Sequence, residues 1–359
     1  MWTVVGQDRA VSMLSRALKE DRLSHAYLFV GPPQVGKATA AREFAQALNC
    51  QGEDPPCHEC RECHMIGERK HPDVEVVSPG GVCDEPDHRD HAAEGSKDIR
   101  ICQVRRLERL LSRAPFEGRF RVVIVDPADA LNEEAANAFL KTLEEPPASA
   151  VIILVTTREE ALPSTVRSRC RRVPFAPMPV ASLAEALESG WSVPADEARP
   201  LACLSGGRLG WALAALEDES VLEARKEALN EIWRLAAAGR DERFAYAGRL
   251  AGQFPRDRQG VLAALDLWRD WWRDVLLVRA GLLEGREDAL PPLTNVDALD
   301  KLRLEGTKYN MADLIRFLVA IGETRRYLQE NVNPYLALEV LMLELPAPVS
   351  GKEAEPSRR

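Results

Sequence analysis

Gly31-Pro32-Pro33-Gln34-Val35-Gly36-Lys37-Ala38 carries the spacing G-x-x-x-x-G-K. It follows the apolar run Ala26–Val30 and opens a helical pattern from Lys37 to about Leu48. Glycines there let backbone N–H groups turn toward a phosphate, the helix N-terminus adds a partial positive charge, and the lysine reaches the outer phosphates. The chemistry is nucleotide phosphate binding. ATP or ADP is the candidate ligand, with Gly31, Gly36, Lys37, Ala38 and Thr39 as candidate contacts. One position departs from the pattern: Ala38 stands where a Ser or Thr hydroxyl would hold Mg²⁺. Thr39 lies one residue on, about a hundred degrees around the helix. A strand–turn–helix with no ligand is the competing reading, and whether the loop is occupied stays open.

A second acidic position lies at the end of another apolar run, Val122-Val123-Ile124-Val125-Asp126. An aspartate there can hold the water shell of Mg²⁺. The residue after it would normally be a glutamate that polarises the attacking water, but here it is Pro127. Asp129, three residues from Asp126, does not obviously fill that place. Each loss removes an interaction made in the transition state, so hydrolysis by this chain alone should be inefficient. Asp126 as a plain strand-end cap is the alternative.

Cys50, Cys57, Cys60 and Cys63 read C-x₆-C-x₂-C-x₂-C. Four thiolates with C-x-x-C spacing suit tetrahedral zinc, and no open coordination position is suggested, so the expected metal is structural. His58 and His64 lie nearby, but four cysteines suffice. Free surface thiols are the competing reading. Cys83, His88 and His91 form a looser group in the polar segment 78–96, where a flexible insertion is expected.

These residues need a scaffold. Five Val/Ile-rich runs, 26–30, 74–77, 121–125, 151–155 and 171–175, alternate with helical patterns at about 99–112 and 133–143. That alternation predicts a parallel sheet covered on both faces. After Pro174, Pro177 and Pro179 the strand patterns stop, and nine helical patterns follow. The expected fold is α/β, then all-α. The expected division is 1–176 as core with the cysteine module at 50–63, 177–238 as a small helical domain, 239–346 as a helical C-terminal domain, and a disordered tail at 347–359. Trp268, Trp271 and Trp272 share one helix face, read first as core and second as an interface.

The 359 residues exceed one core. No apolar run is long enough to span a bilayer and no leader pattern opens the chain, so the cytoplasm is the expected location. A net charge of −9 speaks against a free-standing DNA binder, and clustered cysteines in such a chain favour metal over disulfides.

Further segments carry a resemblance. Asn132–Pro147, with its Leu-Lys-Thr-Leu-Glu-Glu-Pro-Pro, His25–Phe29, Ser168-Arg169-Cys170 and Asn331–Glu339 are similar to the AAA+ subunits of bacterial clamp loaders. The resemblance spans about residues 4–345. It implies an AAA+ core, a helical lid, a helical collar and a role in DNA replication as part of the DNA polymerase III holoenzyme. It also implies a zinc module at the four cysteines, and partners: delta and gamma/tau subunits, a sliding clamp, and primed DNA reached through the assembly. Ala38 and Pro127 point to a non-hydrolysing member rather than the motor type. The resemblance further implies that Arg169 reaches a neighbour's ATP as an arginine finger, and that Thr156 or Thr157 sits at the sensor 1 position. Arg208 lies near a lid sensor. The rival readings are an active motor-type ATPase and a zinc-dependent DNA-binding module.

Overall fold

The computed structural model describes residues 2–85, 96–282, 293–330 and 332–349. The described chain divides into two compact units: residues 1–186 with 208–210, and 187–207 with 211–359. The segment 177–238, expected as one small domain, contributes to both.

In the first unit, β1 (Ala26–Val30), β2 (Val74–Val77), β3 (Arg121–Val125), β4 (Ala150–Thr156) and β5 (Arg171–Pro174) form one sheet. Its order is β2-β3-β4-β1-β5, and every pairing is parallel. Helices α1 (Asp8–Lys19), α2 (Lys37–Asn49), α3 (Arg61–Gly67), α4 (Ile101–Leu111), α5 (Glu133–Glu144) and α6 (Ser164–Arg167) belong to this unit. Successive strand side chains point to opposite faces. Tyr27, Phe29, Val122, Ile124, Val151 and Ile153 pack with Leu14 of α1 and Ala41, Phe44 and Leu48 of α2. Leu28, Val123, Val125, Ile152 and Leu154 pack with Val104, Leu107 and Leu111 of α4 and Phe139 and Leu143 of α5. Apolar residues run without interruption over Val122–Val125 of β3 and Ala150–Val155 of β4 because both faces are covered, as the sequence pattern predicts.

Helix α7 (Val180–Trp191) begins in the first unit and ends in the second, and α9 (Leu209–Glu217) is likewise shared. The second unit is helical: α8 (Ala195–Leu204), α10 (Ser220–Ala237), α11 (Arg240–Gln253), α12 (Arg258–Arg279), α13 (Leu299–Gly306), α14 (Met311–Gln329) and α15 (Pro334–Leu343). Trp268, Trp271 and Trp272 of α12 are each 1% exposed, which places all three in the core rather than on a surface. Trp272 meets Tyr309 and Phe317 edge-on, at 5.1 and 5.5 Å between centroids. A buried polar knot secures the chain before α13. Asp274 accepts from the Thr294 and Asn295 N–H groups at 2.9 and 2.8 Å, while Arg225 donates to Asn295 and Asp297. No helix among the described residues is long and apolar enough to cross a membrane. His88, His91 and residues 350–359 of the expected tail lie outside the described residues.

Candidate functional site

A parallel sheet brings the C-terminal ends of its strands to one edge, where α/β folds place ligands. Here that edge gathers Gly31 after β1, Asp126 after β3 and Thr156 at the end of β4. The Gly31 N–H donates to the Thr156 carbonyl (3.4 Å), and the Phe175 N–H to the Val30 carbonyl (2.7 Å). A Cβ on Gly31 would lie 2.3 Å from the Phe175 carbonyl oxygen, so only glycine fits. Gly36, at φ 92°, turns the loop into α2 in the left-handed region that glycine adopts without strain. The Gly210 N–H donates to the Gln34 carbonyl at 2.9 Å, which ties residues 208–210, including Arg208, to the loop.

Lys37 is buried at 6% exposure. Its ammonium donates to the Gly31 and Pro32 carbonyls at 2.7 and 2.5 Å, so the lysine satisfies itself on its own loop. Burial lowers its pKa to about 8, against the pull of Asp126 and Asp129. Burial likewise raises the Asp126 carboxyl, partly offset by Lys37. Ala38 and Thr39 both face solvent at the start of α2. Neither Ala38 nor Pro127 carries a side-chain oxygen.

Asp129 has a defined task that sequence spacing does not reveal. It accepts from the Thr156 hydroxyl at 2.8 Å and from Arg158 Nε and Nη2 at 3.0 and 2.9 Å. The Thr156 hydroxyl in turn accepts the Arg158 N–H at 2.9 Å. Of the two threonines weighed for this place, Thr156 makes the contact, and it is 1% exposed. Arg158 escapes a motif search; its signal is its place two residues past Thr156, beyond a strand end, opposite an acid.

Arg169 lies outside this cluster, beyond α6. Its Nη1 donates to the Thr165 carbonyl at 2.8 Å and its Nη2 to Glu144 at the end of α5, at 2.5 Å. The side chain is 34% exposed. The neighbouring Cys170 thiol is pushed up to about 12 by burial.

The four cysteines converge: the Sγ atoms of Cys50, Cys57, Cys60 and Cys63 all lie within 4.8 Å of one another. Backbone N–H groups of Gly52, Cys60 and Cys63 point at Cys50, Cys57 and Cys60 sulfurs at 3.3, 3.3 and 3.5 Å. N–H groups aimed at Cys57 lower its pKa to about 6, while burial pushes the Cys50 and Cys63 thiols up. Four sulfurs this close together could hold a metal ion. The module is anchored by Gln46, which donates to the Cys63 carbonyl (2.7 Å), and by the buried Glu62–His71 pair (2.9 Å). The Asp73 N–H donates to His71 Nδ1 (3.0 Å), which leaves the His71 Nε2 proton for Glu62. Asp73 takes up the Phe116, Glu117 and Gly118 N–H groups and Arg121, and the three N–H bonds hold its pKa below the usual carboxylate range despite burial.

Residues 6–179 match the family model described as DNA polymerase III, delta subunit. DNA polymerase III subunit delta' of Bacillus subtilis is 27% identical over 340 residues, 94% of this chain and 96% of that protein. The chain is similar to delta-prime subunits of DNA polymerase III, over nearly its whole length in the Bacillus subtilis case. Gamma/tau subunits are also similar to this chain: that of Mycobacterium tuberculosis H37Rv is 29% identical over 375 residues. The match covers 98% of this chain but 61% of that one, so the chain spans less than two thirds of gamma/tau. Among solved structures, a DNA polymerase III gamma subunit-related protein from Thermotoga maritima aligns over 94% of this chain and 98% of its own. Its identity is 18% and the TM-score 0.39.

Proposed function

We propose that this clamp-loader subunit acts as a stator, which completes a neighbour's ATP site without turning over ATP itself. The observation that carries the reading is the contrast between its two sites. At the phosphate loop, Lys37 is spent on its own carbonyls, Asp129 is spent on Thr156 and Arg158, and Ala38 and Pro127 supply no catalytic oxygen. At Arg169, a guanidinium is held at the surface, one-third exposed. Arginine suits contact with a neighbour's polyphosphate, being always charged and able to fork onto oxygens. ATP or ADP in the chain's own loop would be a structural ligand contacting Gly31, Gly36, Lys37 and Asp126.

The cysteine module holds one structural zinc in this reading, supported by the four converging sulfurs. In the second unit, Met311, Ile315 and Val319 of α14 are exposed at helical spacing, as are Leu336, Val340 and Leu343 of α15. Arg316 of α14 reaches Glu344 just past α15 at 3.4 Å, so the two stripes lie on neighbouring helices. Exposed apolar surface of this kind fits a collar that joins delta and gamma/tau partners in a ring. The ring then loads the sliding clamp on primed DNA in the cytoplasm.

ATP turnover by the purified chain tests the reading. A stator shows none above background. Steady turnover that Lys37→Ala abolishes would make the chain a motor-type ATPase instead. Tight, salt-sensitive DNA binding by the isolated chain would favour the DNA-binding module.

A further inference from the structure

Helix α5 ends on two acids, Glu144 and Glu145, ahead of Pro146 and Pro147. Proline stops the helix there. The C-terminal end of a helix carries partial negative charge, so an acid in its last turn is electrostatically misplaced. Glu144 is also half exposed, at 51%, where an ion pair adds little to stability. Neither helix formation nor folding therefore explains a glutamate at this position. Its contact does: Glu144 Oε1 accepts from Arg169 Nη2, while the Thr165 carbonyl of α6 accepts from Nη1. The guanidinium is thus held by two acceptors on two different helices. A free arginine at a surface samples many rotamers, and each must be lost when the group meets a ligand.

We infer that Glu144 is a positioning residue for Arg169: with the Thr165 carbonyl, it fixes the guanidinium in the orientation in which a neighbour's nucleotide meets it. This rests on the reading of Arg169 as acting on a neighbouring ATP site. Glu144 itself need not touch the nucleotide. Its contribution is that the side chain is ordered before the subunits meet, which raises the rate of the chemical step more than it changes nucleotide binding.

The test is ATP turnover by the complex reconstituted with motor subunits, carrying wild-type chain, Glu144→Ala, Glu144→Gln, Arg169→Ala, or the Glu144→Ala/Arg169→Ala double variant. The expected result is a loss of about three- to tenfold in kcat for Glu144→Ala with KM for ATP unchanged. Glu144→Gln keeps Oε1 as an acceptor and recovers most of that loss. The double variant is no slower than Arg169→Ala alone, because Glu144 acts only through Arg169. An unchanged rate for Glu144→Ala beside a strong loss for Arg169→Ala overturns the role of Glu144 and leaves that of Arg169 standing. So does an additive loss in the double variant. A rate unaffected by Arg169→Ala removes the in-trans reading and the positioning role together.

Discussion

Lys37 is the residue that most clearly separates ancestry from activity. A lysine in a phosphate loop is expected to be charged and to point at phosphate; here it is buried and folded back onto Gly31 and Pro32. Burial brings its pKa to about 8, from an ordinary value of 10.5. Below about 8 the folded chain keeps the charge; between there and 10.5 the unfolded chain holds a proton that the folded chain has released. Unfolding then takes up a proton, so this group makes stability rise with pH across that window. Lysine-selective NMR should find one ammonium titrating near 8, absent in Lys37→Met, and any nucleotide affinity of the loop should fall as pH passes that point. A Lys37 signal that titrates with the surface lysines would contradict the burial. Asp129 carries a second residue-scale consequence. Asp129→Ala leaves Arg158, 15% exposed, beside Thr156 without its carboxylate. The expected cost is about 2–4 kcal/mol in a denaturant titration, because removing one partner strands a largely buried charge. A change below about 0.5 kcal/mol would mean that the pair is solvated.

At the scale of elements, the cysteine module is a small structure that the metal would hold together. Helix α3 is seven residues long, with Cys60 as its N-cap accepting the Cys63 N–H. So short a helix has little stability of its own. The expected outcome is about one zinc per chain in freshly purified, reduced protein, lost in Cys57→Ser. Chelation should lower the melting temperature and speed amide exchange over residues 50–73, since Glu62 and His71 tie the module to the start of β2. Absence of metal in that preparation would refute the four-thiolate site. This module also marks the limit of what a sequence pattern reveals. The ligand spacing was legible, as were all five strands, because covered Val/Ile runs such as Val151–Val155 leave a local signal. Helices α3 and α6 were not, since one is shaped by converging sulfurs and the other has four residues. Helix α1 does leave a signal in the sequence, with Ala10, Leu14 and Ala17 buried at helical spacing and Met13 and Leu18 packed beside them. The chain enters α13 through a 3-10 turn at Val296–Ala298, where Asp297 is drawn to Arg225. In the candidate site, Gly31, Gly36, Lys37 and Asp126 could be found by spacing. The engagement of Asp129 with Arg158, and of Glu144 with Arg169, depends on pairings about 29 and 25 residues apart.

For the whole molecule, a net charge of −9 and exposed apolar stripes on α14 and α15 suit a chain that works inside an assembly. Val340 is 58% exposed, so Val340→Glu should leave the melting temperature of the isolated chain nearly unchanged. The same substitution should weaken assembly with partner subunits, read by sedimentation or size-exclusion chromatography. Assembly that survives Val340→Glu and Leu336→Glu together would place the collar contact elsewhere. The central claim is that the chain contributes to ATP chemistry through Arg169 and not through its own phosphate loop. Steady-state ATP turnover by the reconstituted complex, with Arg169→Ala set beside Lys37→Ala, tests it most directly. The account predicts that Arg169→Ala lowers the rate by about a hundredfold at the neighbouring site while Lys37→Ala leaves it unchanged; a rate that falls with Lys37→Ala and survives Arg169→Ala would contradict it.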